Sequence, residues 1–167
     1  MTRASLSPRV ASMVLASTAL SMMLASCGPQ QVPLDVRFPS SETFLVSRSM
    51  RIRVYALEET SCPALVTAVS NGRDPGLDPL WESAAVTPCQ VRAGITIPDV
   101  GGGRRGFLVE GLDSNGNNTI LAGCADGEIY SGSRIDVAIY PTTRYDAAYD
   151  ADPPTEEISA RCAAEGL

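Results

Sequence analysis

Arg51-Ile52-Arg53-Val54-Tyr55-Ala56-Leu57 is the stretch on which the fold reading turns. Successive side chains of an extended chain point to opposite sides, so Ile52, Val54 and Ala56 share one face and Arg51, Arg53 and Tyr55 the other. A period of two is the mark of a half-buried strand. The same reading applies from Phe44 onward. Further strands are expected over Leu80–Val86, Gln90–Ile97, Phe107–Leu112, Thr119–Cys124 and Ile135–Tyr140. Loop chemistry, as in Asn71–Pro79 (NGRDPGLDP), separates them. About seven short strands at such spacing predict an all-β fold, an antiparallel β-sandwich, over residues 40–143. Ser61-Cys62-Pro63 opens a segment, Ala64–Val69, that reads equally as a helical turn or a loop.

The N-terminus has a different character. Met1–Arg9 carries two arginines and no acid, and Val10–Leu24 (VASMVLASTALSMML) is uncharged. A basic lead, a short apolar core and small residues form a secretory signal pattern. The run falls short of the roughly 20 apolar residues that span a bilayer, and serines and a threonine dilute it. Leu24-Ala25-Ser26-Cys27, directly after it, resembles the lipobox of bacterial lipoproteins at all four positions. The resemblance implies a signal peptide over residues 1–26 and cleavage between Ser26 and Cys27. It implies diacylglyceryl and acyl chains on Cys27, with the lipid bilayer as the first partner. Gly28 is not the Asp that favours inner-membrane retention in that family, so the implied location is the outer membrane. Residues 27–39, rich in Pro and Gln, read as a tether.

Cleavage before Cys27 removes 26 of 167 residues and leaves 141, enough for one domain with a real core. The leader takes Arg3 and Arg9 with it, and the formal charge goes from −6 to −8. Such a chain repels phosphate backbones, and no nucleic-acid partner is expected. There is no His and no Lys. The commonest general base, the commonest neutral metal ligand and the Schiff-base nucleophile are therefore missing. No enzyme, cofactor or metal site is expected. Cys62, Cys89, Cys124 and Cys162 are even in number in an exported chain and read as two disulfides. Their wide spacing lacks the close pairs of a zinc site. Sequence leaves all three connectivities open, with the sequential one, Cys62–Cys89 and Cys124–Cys162, preferred.

Arg104–Asp113, Asn115-Gly116 and Ile120–Cys124 read as a strand, a tight turn and a returning strand, followed by another strand over Arg134–Tyr140. Together, Ile95–Tyr140 resembles the immunoglobulin-like or prealbumin-like modules of bacterial lipoproteins. Residues 144–167 form an acidic tail. Within it Thr155–Glu165 reads as a short helix capped by Thr155, with Glu156 and Glu157 in its first turn and Cys162 pinning it to the sheet. A disordered tail is the competing reading.

Several motifs point to chemistry without completing it. Gly101–Gly106 contains GxGxxG, but a strand and not a helix follows. Asp113, Asn115 and Asn117 alternate like the start of a calcium loop, yet the position of the bidentate Glu is Cys124. Asp146, Asp150 and Asp152 would supply a carboxylate pair, but in a tail without stacking aromatics. Trp81 reads as a core residue. The expected role is thus structural or protein-interacting, with an envelope protein as partner. The alternative is a module binding glycan, peptide or calcium, which Tyr130, Tyr145 and Tyr149 on one face would favour.

Overall fold

A computed structural model describes residues 31–130 and 133–167. In chain order the elements are β1 (Val32–Arg37), α1 (Ser41–Val46), β2 (Ser49–Ala56), α2 (Cys62–Ser70), β3 (Trp81–Glu82), α3 (Pro88–Ala93), β4 (Ile95–Ile97), β5 (Arg104–Leu112), β6 (Thr119–Glu128), β7 (Ile135–Ala138), β8 (Tyr140–Pro141), α4 (Tyr145–Ala151) and α5 (Ile158–Ala164). A three-stranded sheet has the order β4-β1-β7, and a five-stranded sheet the order β3-β2-β5-β6-β8. The large sheet is antiparallel throughout, whereas β1 and β7 run parallel. The main core lies between the sheets. Val32, Leu34, Ile97 and Val137 of the small sheet meet Met50, Ile52, Val54, Phe107 and Val109 of the large one. The outer face of the large sheet is covered by α2, where Leu65 and Val69 pack on Tyr55, Leu108 and Ala122.

This corrects the all-β sandwich. Five helices make up 26% of the described residues against 33% in strands, so the fold is mixed α/β. Strands are present where Arg51–Leu57, Phe107–Leu112, Thr119–Cys124 and the first part of Ile135–Tyr140 had been read. Elsewhere end signals outweigh period. Thr87-Pro88-Cys89-Gln90 is a helix start: the Thr87 hydroxyl accepts from the Gln90 N–H and the Gln90 side chain accepts from the Thr87 N–H. Such a capping box with Pro in the first turn turns Pro88–Ala93 into a helix and leaves only Ile95–Ile97 of the expected strand. Ser40 and Thr43 cap α1 in the same way, and Ser61 caps α2. Of the strand expected over Leu80–Val86, Trp81–Glu82 and a single bridge from Val86 to Met50 remain. Trp81 is half-buried against the edge of the core.

The tether expected over 27–39 does not hold over Val32–Arg37, which is the middle strand of the small sheet. Pro33 is tolerated there because pairing with β7 begins only at Leu34, so at Pro33 the strand is still an edge. The tail is docked rather than free. Arg161 of α5 is buried, and its guanidinium donates to the carbonyls of Leu45 and Ser47, 2.8 Å each, at the C-terminus of α1. Burial pushes the Arg161 pKa down. Arg48 binds Asp152 at 2.7 Å and Glu156 at 3.6 Å. The α5 cap is Glu157, not Thr155, so Glu156 and Glu157 precede the helix instead of lying in its first turn.

The disulfides are Cys62–Cys124 and Cys89–Cys162, not the sequential pairs. The first ties the start of α2 to β6. The second ties α5 to α3, not to the sheet. They close loops with sequence separations of 62 and 73. On the chain-entropy account each such loop contributes about 4 kcal/mol.

One close approach holds the two sheets in place. Past β7 the chain crosses from the small sheet to the large one, with the Ile139 N–H on the Arg37 carbonyl and Tyr140 opposite Ala122. At the crossing its backbone lies on Gly123 of β6. A Cβ there would stand 2.1 Å from the Ala138 carbonyl oxygen. Neither main chain can yield without breaking its ladder. Gly123→Ala is therefore expected to lower the unfolding free energy by about 3 kcal/mol, the upper end of overpacking costs, as measured by urea titration.

Candidate functional site

The outer face of the large sheet is apolar under α2 and ionic beyond its C-terminal end. Arg51, Arg53 and Tyr55 share that face, and Glu110 of β5 sits directly opposite Arg51 in register. Glu110 is 0% exposed and Arg53 5%. A buried carboxylate is costly unless its lone pairs are filled, and here all are. Its Oε1 accepts from Arg51 Nη2 at 2.9 Å and from the Thr119 hydroxyl at 2.9 Å. Its Oε2 accepts from Arg51 Nε at 3.1 Å and from Arg53 Nε and Nη2 at 3.0 and 2.7 Å. These bonds raise the Arg51 pKa above its ordinary value, with burial opposing them. Arg53 also lies 5.7 Å from the Tyr55 ring centroid, and its Nη1 stands 3.7 Å from Asp74. The Tyr55 hydroxyl is buried without a hydrogen-bond partner, and burial pushes its pKa up.

Above this floor is a polar cleft of about 130 Å³ whose walls come from Gly72–Asp74 and Arg144. Gly72 has φ +67°, the left-handed region, and the Arg144 guanidinium lies so close that a Cβ on Gly72 would stand 2.0 Å from its Nη2. The backbone there thus requires glycine for its torsion and for the approach of the arginine. Arg144 Nη1 reaches the Asn118 side-chain oxygen at 3.4 Å. Glu110 has no lone pair left for moving a proton, so the cluster is a fixed array of charge and not an acid–base pair.

A larger groove of about 860 Å³ lies over the Cys89–Cys162 disulfide, lined by α1, α3 and α5. It is wide and shallow, and its charged lining residues Arg92, Glu156 and Glu157 are exposed. Size does not make it the better candidate, because no buried polar side chain is aimed into it.

The residues singled out in the sequence are scattered. Cys27 and Ser26 lie outside the described residues. In the GxGxxG stretch Arg105 donates to the Gly102 carbonyl and lies 3.5 Å from Glu58, while Arg104 is paired with Asp126. Asp146 and Asp150 are exposed on α4, and Asp152 is taken by Arg48. Tyr145 and Tyr149 pair at 6.1 Å, but the 64%-exposed Tyr130 follows the opposite end of β6. The calcium-like loop is the β5–β6 turn. There the Asp113 carboxylate accepts from the Asn117 and Asn118 N–H groups at 3.0 and 3.3 Å and from Asn118 Nδ2 at 2.7 Å. Sequence reasoning missed Arg73, Arg144 and the pairing of Arg51 and Arg53 with Glu110. The available signal was Glu110 itself, a lone acid inside the apolar run Phe107–Leu112.

No protein-family model matches the sequence, no curated protein matches it, and no solved structure matches the fold.

Two outcomes test the geometry. Glu110→Gln leaves two desolvated guanidiniums facing a neutral amide and is expected to cost about 3–5 kcal/mol in urea unfolding at neutral pH. Asp113 gives a pH signature. Burial is the largest single influence on it and pushes its pKa up, but the bonds from Asn118, Asn117 and Asn115 together outweigh burial and hold it below the ordinary value. A depressed folded pKa adds stability that is present above the unfolded Asp value of about 3.9 and is lost as pH falls through the folded one. The stability gap between the native protein and Asp113→Asn is thus expected to be widest near neutral pH and to narrow below about pH 4.

Proposed function

We propose that this chain is an exported lipoprotein, anchored in a bacterial outer membrane through acylated Cys27, whose α/β domain is non-catalytic and presents a surface to a protein partner in the envelope. The observation that carries the reading is how the cysteines are used. Cys62, Cys89, Cys124 and Cys162 are consumed in two disulfides, as suits an oxidising compartment. Cys27 is the one cysteine that neither bond uses, and it stands where Leu24-Ala25-Ser26-Cys27 resembles the lipobox. Burial of acyl chains contributes about 0.8 kcal/mol per methylene, so two or three chains on one residue hold a domain firmly. No helix among the described residues is long and apolar enough to cross a membrane. The first strand among the described residues starts at Val32, five residues past Cys27 in sequence.

A second reading is a ligand-binding module on the same anchor. The arginine-lined cleft favours it. Calcium is the weakest ligand on that list, because the Asp113 oxygens already accept three donors of their own turn.

Intact mass of the unreduced protein from membranes of its host tests the anchor. The expected species starts at Cys27, carries diacylglyceryl and acyl mass, and is four protons lighter than the all-thiol form. Cys27→Ala should remain folded and leave the membrane fraction. A full-length, unlipidated mass would sink the proposal.

A further inference from the structure

The cleft over Glu110 holds more positive charge than its own acids use. Arg51, Arg53, Arg73 and Arg144 line it, with Glu110 and Asp74 as the acids, so four guanidiniums face two carboxylates and the balance is +2. That is four of the eleven arginines that follow Cys27, gathered at one small cavity in a part of the chain whose formal charge is −8. Glu110 is saturated by Arg51 and Arg53, and Asp74 lies nearest the spare Nη1 of Arg53. Among the described residues, no carboxylate lies within 4.0 Å of Arg73 or Arg144. On the large sheet, Arg104 pairs with Asp126 and Arg105 with Glu58; the exposed Arg92 of α3 also has no carboxylate partner among the described residues, but it lies outside the cleft. Moreover, Arg144 is not loose. Its head is seated on the main chain at Gly72 and steadied by the Asn118 side chain.

We propose that this cleft binds a doubly charged oxyanion of the phosphate or sulfate type, free or as the terminal group of a larger ligand, clamped between Arg73 and Arg144 over the Arg51–Glu110–Arg53 floor. Planar guanidiniums donate pairs of parallel hydrogen bonds to such oxygens, and a dianion cancels the surplus. Glu110 does not repel it strongly, because Arg51 and Arg53 are bonded to that carboxylate and offset its charge. The site is independent of whether Cys27 carries lipid.

The test is titration of the full chain, extracted from its membranes in detergent with disulfides intact. Thermal unfolding is followed by the fluorescence of its single tryptophan, Trp81. Inorganic phosphate and sulfate are expected to raise the midpoint saturably at millimolar concentrations, whereas chloride at matched ionic strength does not. Arg73→Gln and Arg144→Gln are each expected to weaken the effect at least tenfold. Gly72→Ala keeps every charge but displaces the Arg144 head, and should weaken it too. Arg134→Gln, which removes an arginine held by Asp35 elsewhere, should leave it unchanged. Glycerol phosphate distinguishes the sources. Binding as tight as inorganic phosphate identifies the terminal group of a larger ligand, and its exclusion identifies the free ion. A midpoint that chloride raises equally, no saturation by either dianion, or full binding by the Arg73→Gln and Arg144→Gln variants overturns the proposal. A lipidated mass with no anion binding would sink this site alone and leave the anchor standing.

Discussion

The carboxylate of Glu110, taken wholly out of water and given five donors, constrains everything around it. It fixes the register of β2 on β5, because Arg51 reaches it from the directly opposed position and Arg53 from the diagonal one. A slip of one residue would send both arginines into the apolar layer between the sheets and bring Ile52 out. The same group sets where β6 begins, since the Thr119 hydroxyl must reach it across the irregularity at Gly111 and Leu112. It also decides how far α2 extends over the sheet. Apolar cover ends at Val69 on Tyr55 and Leu108, and the chain then turns through Gly72 over the ions. A buried ion pair adds little net stability compared with an apolar substitute of equal volume. Its service here is to make one pairing of strands unambiguous.

What could be read from the sequence followed from the physics of each signal. Alternation in Arg51–Leu57 and the apolar runs Phe107–Leu112 and Thr119–Cys124 found the three central strands of the large sheet, because long buried strands keep their period. Short helices do not announce themselves that way. Pro88–Ala93 is barely more than one helical turn, too little for a 3.6-residue stripe to appear, and only its caps reveal it. Val32–Arg37 was hidden by Pro33, a residue that argues against a strand unless the neighbouring strand starts one residue later, as β7 does. The ionic floor was half legible. Arg51 and Arg53 were placed correctly on the face opposite Ile52 and Val54, but that face was taken to be solvated. Whether another element covers a strand's second face is a tertiary fact, and periodicity carries no information about it. Arg144 is 93 residues from Arg51, and nothing local links them.

Two kinds of feature divide the molecule. The small sheet and the helices α1, α3 and α5 form its fastened end. There Arg161 satisfies the carbonyls of α1, and Cys162 holds Cys89. The outer face of the large sheet is where charge is left over.

The order in which the disulfides join the cysteines has a consequence for proteolysis. Cys62–Cys124 and Cys89–Cys162 overlap, so every peptide bond between residues 62 and 162 lies inside at least one covalent loop. A single protease nick anywhere in that span leaves both pieces joined. Ahead of Cys162, a single cut that parts the chain in two is confined to the stretch before Cys62. Among the described residues, most of that stretch is β1, α1 and β2, held in the two sheets and the packing between them. Interlocked connectivity makes the molecule hard to divide as well as hard to unfold.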